Sequence, residues 1–247
     1  MSNDDEIKVL SVKFSKVGKQ TFDKYKNLEW VVCRSHGIDN VNITEAKRRN
    51  IGIVATSPTA KPVANWISSK IKKDDSVLIF GNGSISREVQ KTIGNFNVVN
   101  SKTSQEEVDR YLKFCKTIVI TLPSDDTTKN YFDRNFFSKV KNQIDIISVS
   151  RGELFDNQAL LEFITSGKVK NGHFDMLSSD GRNLITSQKG MRYYEHTAWE
   201  YNQPKAGGQL GGYVNIEYAD NLKKVIDSCL NNEVEFAHLN RINNLWF

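Results

Sequence analysis

The sequence predicts an α/β protein in which helices cover both faces of parallel strands. Short runs that are apolar at nearly every position, such as 76–80 (SVLIF) and 117–121 (TIVIT), alternate with stretches of helical periodicity along most of the chain. Runs of this kind are typical of parallel strands buried on both faces of a sheet. A basic stretch near 68–75 separates two series of such strands. The chain therefore divides into two α/β series.

The elements follow one another in a regular order. In the first series the predicted strands are 8–14, 28–34 and 51–55, and the predicted helices are 21–26, 44–49 and a short helix that runs through Trp66. In the second series the predicted strands are 76–80, 96–99, 117–121, 144–149 and 169–174, and the predicted helices are 85–93, 105–114, 133–139 and 157–165. An amphipathic segment at 219–230 predicts a closing helix.

Composition and charge argue against several classes of protein. Hydrophobic residues make up 38% of the 247 residues and charged residues 26%, as in an ordinary globular protein. The longest apolar stretches are about six residues, whereas a helix that spans a bilayer needs about 20. The formal net charge is +5, and the basic clusters 47–49 and 70–73 lack interleaved aromatic residues, which favours solvated faces over a nucleic-acid surface. We therefore expect neither a membrane nor a nucleic acid as a partner.

The cysteines and the amino terminus bear on the compartment. Cys33, Cys115 and Cys229 are far apart and odd in number, which suits free thiols in a reducing compartment. Their spacing is not that of metal ligands, so we expect no metal site. The acidic start, MSNDDE, does not have the basic-then-apolar pattern of a secretion signal. We therefore expect a cytoplasmic protein.

A glycine loop follows the strand 76–80 and opens a helix. Residues 81–86 (GNGSIS) have the G-x-G spacing of a turn that cradles a dinucleotide pyrophosphate at a helix amino terminus. Gly81 would permit the tight turn, and Gly83 would let backbone N–H groups approach the phosphates. Ser86 stands where a third glycine is usual, so the motif by itself also fits an ordinary glycine turn. The strand–turn–helix context favours a Rossmann-type dinucleotide site.

The end of the next strand bears on the choice between NAD and NADP. About 20 residues after such a loop, a dinucleotide-binding unit places an Asp or Glu that binds the ribose hydroxyls. Here the strand 96–99 is followed by Asn100, Ser101 and Lys102. Asn100 can hydrogen-bond a hydroxyl without repelling a 2′-phosphate, and Lys102 can pair with a phosphate. Both cofactors stay open, and Asn100 has the alternative of merely ending the strand.

Further along the chain the pattern becomes specific. The sequence has LP at 122–123 and RGE at 151–153, each after a predicted strand. It has FD at 174–175, at the end of the last predicted strand, and HTAW at 196–199 beyond it. In order and spacing these motifs resemble the D-isomer-specific 2-hydroxyacid dehydrogenase family. The segment 34–41 resembles the substrate-domain segment that precedes the family's cofactor domain. The His-x-Ala-Trp form is similar to the variant seen in glycerate dehydrogenases and the C-terminal-binding-protein corepressors of the same family.

The resemblance, which covers about 28–199, also implies an architecture. It implies a Rossmann-type doubly wound parallel sheet as the cofactor domain and a smaller flavodoxin-like α/β substrate domain. We accordingly expect the cofactor domain at 65–203 and a reduced substrate domain at 1–64 plus about 204–247. Most of the helix and arm that build the family's dimer is missing between Asn65 and Gly81. We therefore expect a shortened family member, with the usual dimer in doubt and other oligomers left open.

The resemblance further implies the residues of an active site. Arg151 would clamp the carboxylate and keto oxygen of a 2-keto acid, for which a guanidinium offers bidentate recognition. His196 would be the general acid and base, and Asp180 would hold its imidazole, with one methylene fewer than the family's Glu. Backbone groups of Ser35-His36-Gly37 would receive the substrate carboxylate. The residues expected to contact the cofactor are Gly81, Gly83, Ser84, Ile85, Asn100, Leu122, Pro123, Val149, Ser150, Asp175 and Trp199.

Each assignment has a structural alternative, and the function has alternatives too. Arg151 could be a surface residue at a strand end, His196 a structural histidine among aromatic neighbours, and Asp180 part of the turn sequence SSDGR.

Three functions stay open for the chain. The first is an NAD(P)-dependent oxidoreductase that interconverts a small 2-keto acid, such as glyoxylate or hydroxypyruvate, and its D-2-hydroxy acid. The second is a catalytically weakened member that acts as an NAD(H)-dependent binding or regulatory protein. A Rossmann-type enzyme of another reaction class is the third.

Overall fold

The computed structural model of the protein describes residues 4–12, 15–34, 38, 40–55, 60–201, 216–231 and 240–241. The chain divides into two compact units, one of Met1–Pro58 with Pro204–Phe247 and one of Thr59–Gln203. Each unit is built around its own sheet, in which neighbouring strands are mostly parallel. The predicted α/β class with helix-covered parallel sheets is confirmed.

Strands and mostly short helices alternate along both units. The strands are β1 (Val9–Val12), β2 (Trp30–Cys33), β3 (Gly52–Ala55), β4 (Val77–Phe80), β5 (Phe96–Val99), β6 (Thr117–Ile120), β7 (Ile144–Ser148), β8 (Val169–Phe174), β9 (Met191–Tyr193) and β10 (Asn240–Arg241). The helices are α1 (Lys19–Lys24), α2 (Ile43–Arg48), α3 (Ala60–Ser68), α4 (Ser84–Gln90), α5 (Gln105–Leu112), α6 (Arg134–Lys139), α7 (Asn157–Thr165), α8 (Ser179–Thr186) and α9 (Ile216–Leu230). Several helices begin at a capping side chain, such as Ser104 before α5 and Asp156 before α7, which accepts backbone N–H groups of the first turn.

The sheet of the first unit has the order β1-β2-β3-β10, with β1, β2 and β3 parallel and β10 antiparallel to β3. Successive residues of β2 point to opposite faces, as the period of a strand requires. Val31 and Cys33 pack into one hydrophobic cluster, while Trp30 and Val32 pack into another that contains Cys229 of α9. Helix α9 therefore covers one face of this sheet.

The sheet of the second unit is parallel throughout and has the order β5-β4-β6-β7-β8-β9. From β4 the chain passes first to β5 on one side and then to β6 on the other side. The strand order therefore reverses between β4 and β6. In open parallel sheets the crevice at the carboxyl ends of the strands beside such a reversal is where ligands bind. Gly81 and Thr121 directly follow these two strands.

Helices cover both faces of this second sheet. Leu78 of β4 faces a large cluster with residues of α5, α6 and α7, and Val77 faces a smaller cluster on the opposite side. The smaller cluster includes Trp66 of α3 and residues of α4. Because α3 packs on this sheet, the second unit begins at Thr59, upstream of the boundary at 65 that the sequence suggested.

Three elements differ from the sequence-based expectations. Helix α8 occupies 179–186, where the composition of SSDGR predicted a turn, because the Ser178 hydroxyl accepts the Gly181 N–H at 3.2 Å and caps the helix. The strands β9 and β10 were not predicted. They are three and two residues long, too short for a recognisable alternation of apolar and polar residues.

None of the described helices has the length and apolar character that crossing a bilayer requires. In the described part of the chain, no three His, Cys, Asp or Glu side chains come together as a candidate metal site. Cys33, Cys115 and Cys229 are buried, and burial raises the pKa of the Cys33 thiol to about 11 and that of the Cys115 thiol to about 12. The thiols of Cys33 and Cys115 are therefore held in their unreactive protonated form.

Candidate functional site

Gly81 makes the turn that leaves β4 possible. Its φ is 106°, a value that favours glycine, and its N–H donates to the Val99 carbonyl at 2.8 Å. A Cβ at this position would lie 2.6 Å from Thr121 Oγ1, which itself donates to the Phe80 carbonyl at 3.0 Å. The loop therefore lies tightly between the ends of β5 and β6.

Gly83, at the start of α4, has open space around it, in contrast to the crowded Gly81. It is the N-cap of the helix and provides no side-chain cap, and a Cβ built on it would meet no atom within 4 Å. This open space is what a pyrophosphate needs in order to approach the first turn of a helix. Ser86, at the position of the usual third glycine, is fully buried and accepts a hydrogen bond from Gln90 Nε2 at 3.0 Å. The loop accommodates serine here because its hydroxyl has a partner.

Substitution of the two loop glycines is expected to separate stability from cofactor binding. Gly81→Ala should lower the free energy of unfolding by about 1–3 kcal/mol, because the new Cβ would be strained by both the φ value and Thr121. Gly83→Ala should leave stability nearly unchanged and weaken dinucleotide binding, since its Cβ would fill the open space. Denaturant unfolding and fluorescence titration with NADH and NADPH measure the two effects. Equal losses of stability in both variants would contradict this description of the loop.

Hydrogen bonds join the carboxyl ends of β6 and β7 beside the glycine loop. Ser150 is buried, and its hydroxyl donates to the Leu122 carbonyl at 2.7 Å. The Val149 N–H donates to the Ile120 carbonyl at 3.1 Å, and Thr128 Oγ1 donates to the Pro123 carbonyl at 2.8 Å. The structure thus brings the sequence-predicted cofactor residues at 122–123 and 149–150 to one edge of the sheet, next to Gly81.

Arg151 lies three residues after the end of β7, beside a close backbone contact. The half-buried side chain lies with Nη1 against the sulfur of Met176. A Cβ at the adjoining Gly152 would overlap the Ser178 nitrogen and crowd the backbone of Leu177. Only glycine lets the connection between β8 and α8 pass this close. The RGE motif therefore places Arg151 beside the segment that leads to Asp180.

Asp175 lies beneath the turn that carries His196. The residue is 2% exposed, and its Oδ1 accepts the Ala198 N–H at 2.8 Å, while its carbonyl accepts the His196 N–H at 2.7 Å. Glu195 and His196 have φ values of 52° and 61°, in the left-handed region. Trp199 Nε1 donates to the His196 carbonyl at 2.8 Å. These bonds hold the turn in place, and the His196 residue itself is exposed.

Asp180 lies in the first turn of α8 and is exposed. Helix α8 connects β8 to β9, and His196 comes shortly after β9, so both residues lie toward the same end of neighbouring strands. Arg182 links α8 to the end of β9, since its Nη2 donates to the Tyr193 hydroxyl at 2.9 Å and its guanidinium lies 4.6 Å from the Tyr193 ring centroid. Sequence reasoning missed this link because nothing local pairs residues 182 and 193.

The substrate residues expected in the first unit, Ser35, His36 and Gly37, lie outside the described residues. His173, to which the sequence analysis gave no role, is half-buried, and its Nδ1 lies 2.8 Å from the Tyr194 hydroxyl. Burial, helped by the nearby cations of Lys70, Arg192 and Lys72, lowers the pKa of His173 to about 4. His173 is therefore neutral at pH 7 and joins β8 to β9.

The pH dependence of stability is expected to reveal the buried Asp175 carboxyl. Burial raises the pKa of Asp175 to about 6, while the N–H groups of Ala198 and Thr197 and the charge of Arg151 act in the opposite direction. Since the unfolded chain titrates near pH 3.9, the native state binds more protons between about pH 4 and 6. This group therefore contributes stability that is complete below about pH 4 and is lost as the pH rises through about 6, by up to about 3 kcal/mol.

Comparison of wild type with Asp175→Asn isolates this contribution, because the contributions of the other titrating groups to the free energy of unfolding cancel in the difference. The wild-type free energy of unfolding, minus that of the variant, should fall between pH 4 and 7 in denaturant titrations. His173 acts in the opposite sense, since its lowered pKa makes stability rise with pH over a similar range. The wild-type profile should therefore be flatter than that of either Asp175→Asn or His173→Gln. A wild-type-minus-Asp175→Asn difference that does not vary with pH would contradict the raised pKa.

Comparisons with known proteins identify the family and relatives of the chain. Residues 10–187 match the sequence model of the family described as D-isomer specific 2-hydroxyacid dehydrogenase, NAD binding domain. The hydroxypyruvate reductase of Thermotoga maritima is 22% identical over 212 residues, which is 69% of this chain and 69% of that protein.

Solved structures share the fold over nearly the whole chain. An acyclic imino acid reductase in complex with NADPH and D-Arg superposes with a TM-score of 0.75 at 15% identity, covering 96% of this chain and 86% of that one. A D-lactate dehydrogenase from Aquifex aeolicus, complexed with NAD and lactic acid, superposes with a TM-score of 0.68 at 15% identity, covering 92% and 84%. At such identities the likeness shows the fold alone.

Proposed function

The chain belongs to the D-isomer-specific 2-hydroxyacid dehydrogenase family, and from that premise we propose that it is an NAD(P)-dependent oxidoreductase that interconverts a small 2-keto acid and its D-2-hydroxy acid. One observation carries the proposal. Arg151 follows β7, Asp175 follows β8 and His196 comes shortly after β9, which are three neighbouring parallel strands. The guanidinium that we propose as the carboxylate binder and the imidazole that we propose as the proton donor thus follow the carboxyl ends of strands in the same sheet as the glycine loop after β4.

The loop after β4 fits the cofactor that the family uses. The positive φ of Gly81 forms the turn, and the open space at Gly83 leaves room for a pyrophosphate at the start of α4. Leu122, Pro123, Val149 and Ser150 would line the adjoining strand ends. When bound there, a nicotinamide dinucleotide supplies or accepts the two electrons of the reaction as a hydride equivalent.

Arg151 is proposed to bind and orient the 2-keto acid. Its planar guanidinium can donate to the carboxylate and to the keto oxygen at the same time. In reduction the keto oxygen gains negative charge, and a cation held beside it stabilises that charge. The close packing at Gly152 fixes the backbone from which this side chain extends.

His196 is proposed to move the proton. In reduction its imidazolium gives a proton to the former keto oxygen, and in oxidation its neutral imidazole takes the proton from the hydroxyl group. Asp180 would hold the imidazole and stabilise its protonated form through its carboxylate. Asp175 acts on His196 through the backbone, because it accepts the N–H of Ala198 and its carbonyl accepts the N–H of His196. Asp175 is therefore a positioning residue for the proton donor.

The family and the name of the Thermotoga maritima relative favour a small substrate of the glyoxylate or hydroxypyruvate type. The direct test is oxidation of NADH and NADPH, followed by absorbance, with glyoxylate, hydroxypyruvate, pyruvate and longer 2-keto acids. Turnover with a small 2-keto acid is the expected result. Dinucleotide binding without turnover on any of these acids would overturn the proposal and support the NAD(H)-dependent binding protein instead.

A further inference from the structure

The turn after β5 concerns the choice between the two dinucleotides, and the inference drawn from it rests on the proposed function. We propose that Asn100 and Lys102 form a subsite for the 2′-phosphate of NADPH, so that the protein binds NADPH in preference to NADH. The Gly81 N–H donates to the Val99 carbonyl at 2.8 Å, which places the end of β5 directly beside the glycine loop. In dinucleotide-binding sheets of this order, the residue after this strand meets the adenosine ribose.

The side chain of Asn100 keeps a hydrogen-bond donor that the turn itself does not use. Its Oδ1 accepts the Lys102 N–H at 2.8 Å, its own N–H donates to Thr103 Oγ1 at 3.0 Å, and its carbonyl accepts the Thr103 N–H at 3.0 Å. The turn is thus closed by three hydrogen bonds, and the Asn100 oxygen is used within it. The group left to meet a ligand is the Nδ2 amide, which donates. A phosphate accepts such a bond, whereas recognition of two ribose hydroxyls relies on an acceptor such as a carboxylate.

The charge at this turn also favours binding of a phosphate. Lys102 is exposed and forms no ion pair with any residue that the structure describes. The first carboxylates after β5 are Glu106 and Glu107 in α5, and Glu107 caps its own helix by accepting the Ser104 N–H at 3.1 Å. A turn with a fixed amide donor and an uncompensated ammonium favours a doubly charged phosphate over a neutral hydroxyl.

Binding experiments test the subsite independently of turnover. Calorimetric titration with 2′,5′-ADP and with 5′-ADP isolates the 2′-phosphate, and fluorescence titration with NADPH and NADH measures the whole dinucleotide. Wild type should bind the phosphorylated member of each pair at least about tenfold more tightly, and the ratio should fall as salt is added. Lys102→Ala should remove most of the preference. Asn100→Asp should reverse it, because the carboxylate repels the phosphate and accepts the ribose hydroxyls.

A control variant that loses the same positive charge elsewhere distinguishes this subsite from long-range electrostatic attraction of the phosphate. Lys116 is also exposed, but it precedes β6 and so lies at the opposite end of the sheet, and Lys116→Ala should keep the wild-type ratio. Equal affinity of wild type for NADPH and NADH, or an unchanged ratio in Lys102→Ala, would overturn the inference and leave the proposed function standing. Failure to bind either dinucleotide would overturn both. A preference for NADPH without turnover would support the subsite and overturn the proposed activity.

Discussion

Replacement of Arg151 by alanine is expected to lower kcat/KM for the 2-keto acid by about 100- to 1000-fold, the loss that follows removal of a charged hydrogen-bond partner from a carboxylate and a developing oxyanion. The affinity for the dinucleotide should stay within about twofold of wild type, because the substitution removes a contact with the substrate and leaves the glycine loop unchanged. Arg151→Lys should recover little, because an ammonium keeps the charge but not the two-pronged geometry. Steady-state kinetics and fluorescence titration measure these effects.

The control for this prediction is another arginine in the same unit. Arg192 in β9 is exposed and forms no ion pair with the described residues, so Arg192→Ala makes the same chemical change away from the proposed contact. It should keep wild-type kinetics. If Arg151→Ala kept wild-type kcat/KM, or if dinucleotide affinity fell in parallel with turnover, Arg151 would not be the substrate-binding residue.

Replacement of His196 by glutamine is expected to lower kcat by about 100- to 10,000-fold, the range that a positioned acid or base contributes. In the direction of reduction the wild-type rate should fall as the pH rises, because imidazolium is the proton donor and is lost on deprotonation. His196→Gln should lack that decline. Asp180→Asn should reduce the rate less, since the imidazole remains and only its orienting charge is lost. The measurement is the pH–rate profile of all three proteins at saturating dinucleotide.

A second histidine provides the control for His196. His173 lies on the neighbouring strand β8, is half-buried and contacts the Tyr194 hydroxyl, so a defect of the fold alone would appear there too. His173→Gln should keep wild-type turnover. Equal losses in the two variants, with a pH profile that still declines in His196→Gln, would reject His196 as the proton donor and favour its structural role.

The pattern of the chain predicted the sheet of the second unit closely. The strands β5 and β8 and the helix α7 occupy the predicted residues, and the other predicted elements of this unit differ only at their ends. These elements have strong local patterns: residues 144–148 are buried throughout, and Asp156 caps α7 through its side chain. Helix α8 and strand β9 were missed because the first depends on a cap in a turn-like sequence and the second is short.

In the candidate site, too, some features follow from the sequence and others only from the tertiary structure. The sequence by itself determined the strand order along the chain, the glycine loop, and the motifs that carry Arg151 and His196, because each depends on residues that are close in the chain. Only the tertiary structure decided that Gly152 lies against Ser178 and that Asp175 holds the backbone of His196 and Ala198. These contacts join residues more than 20 positions apart, across strand ends that packing of the sheet brings together. No local pattern records such a contact, since it arises from burial and hydrogen bonding between separate elements.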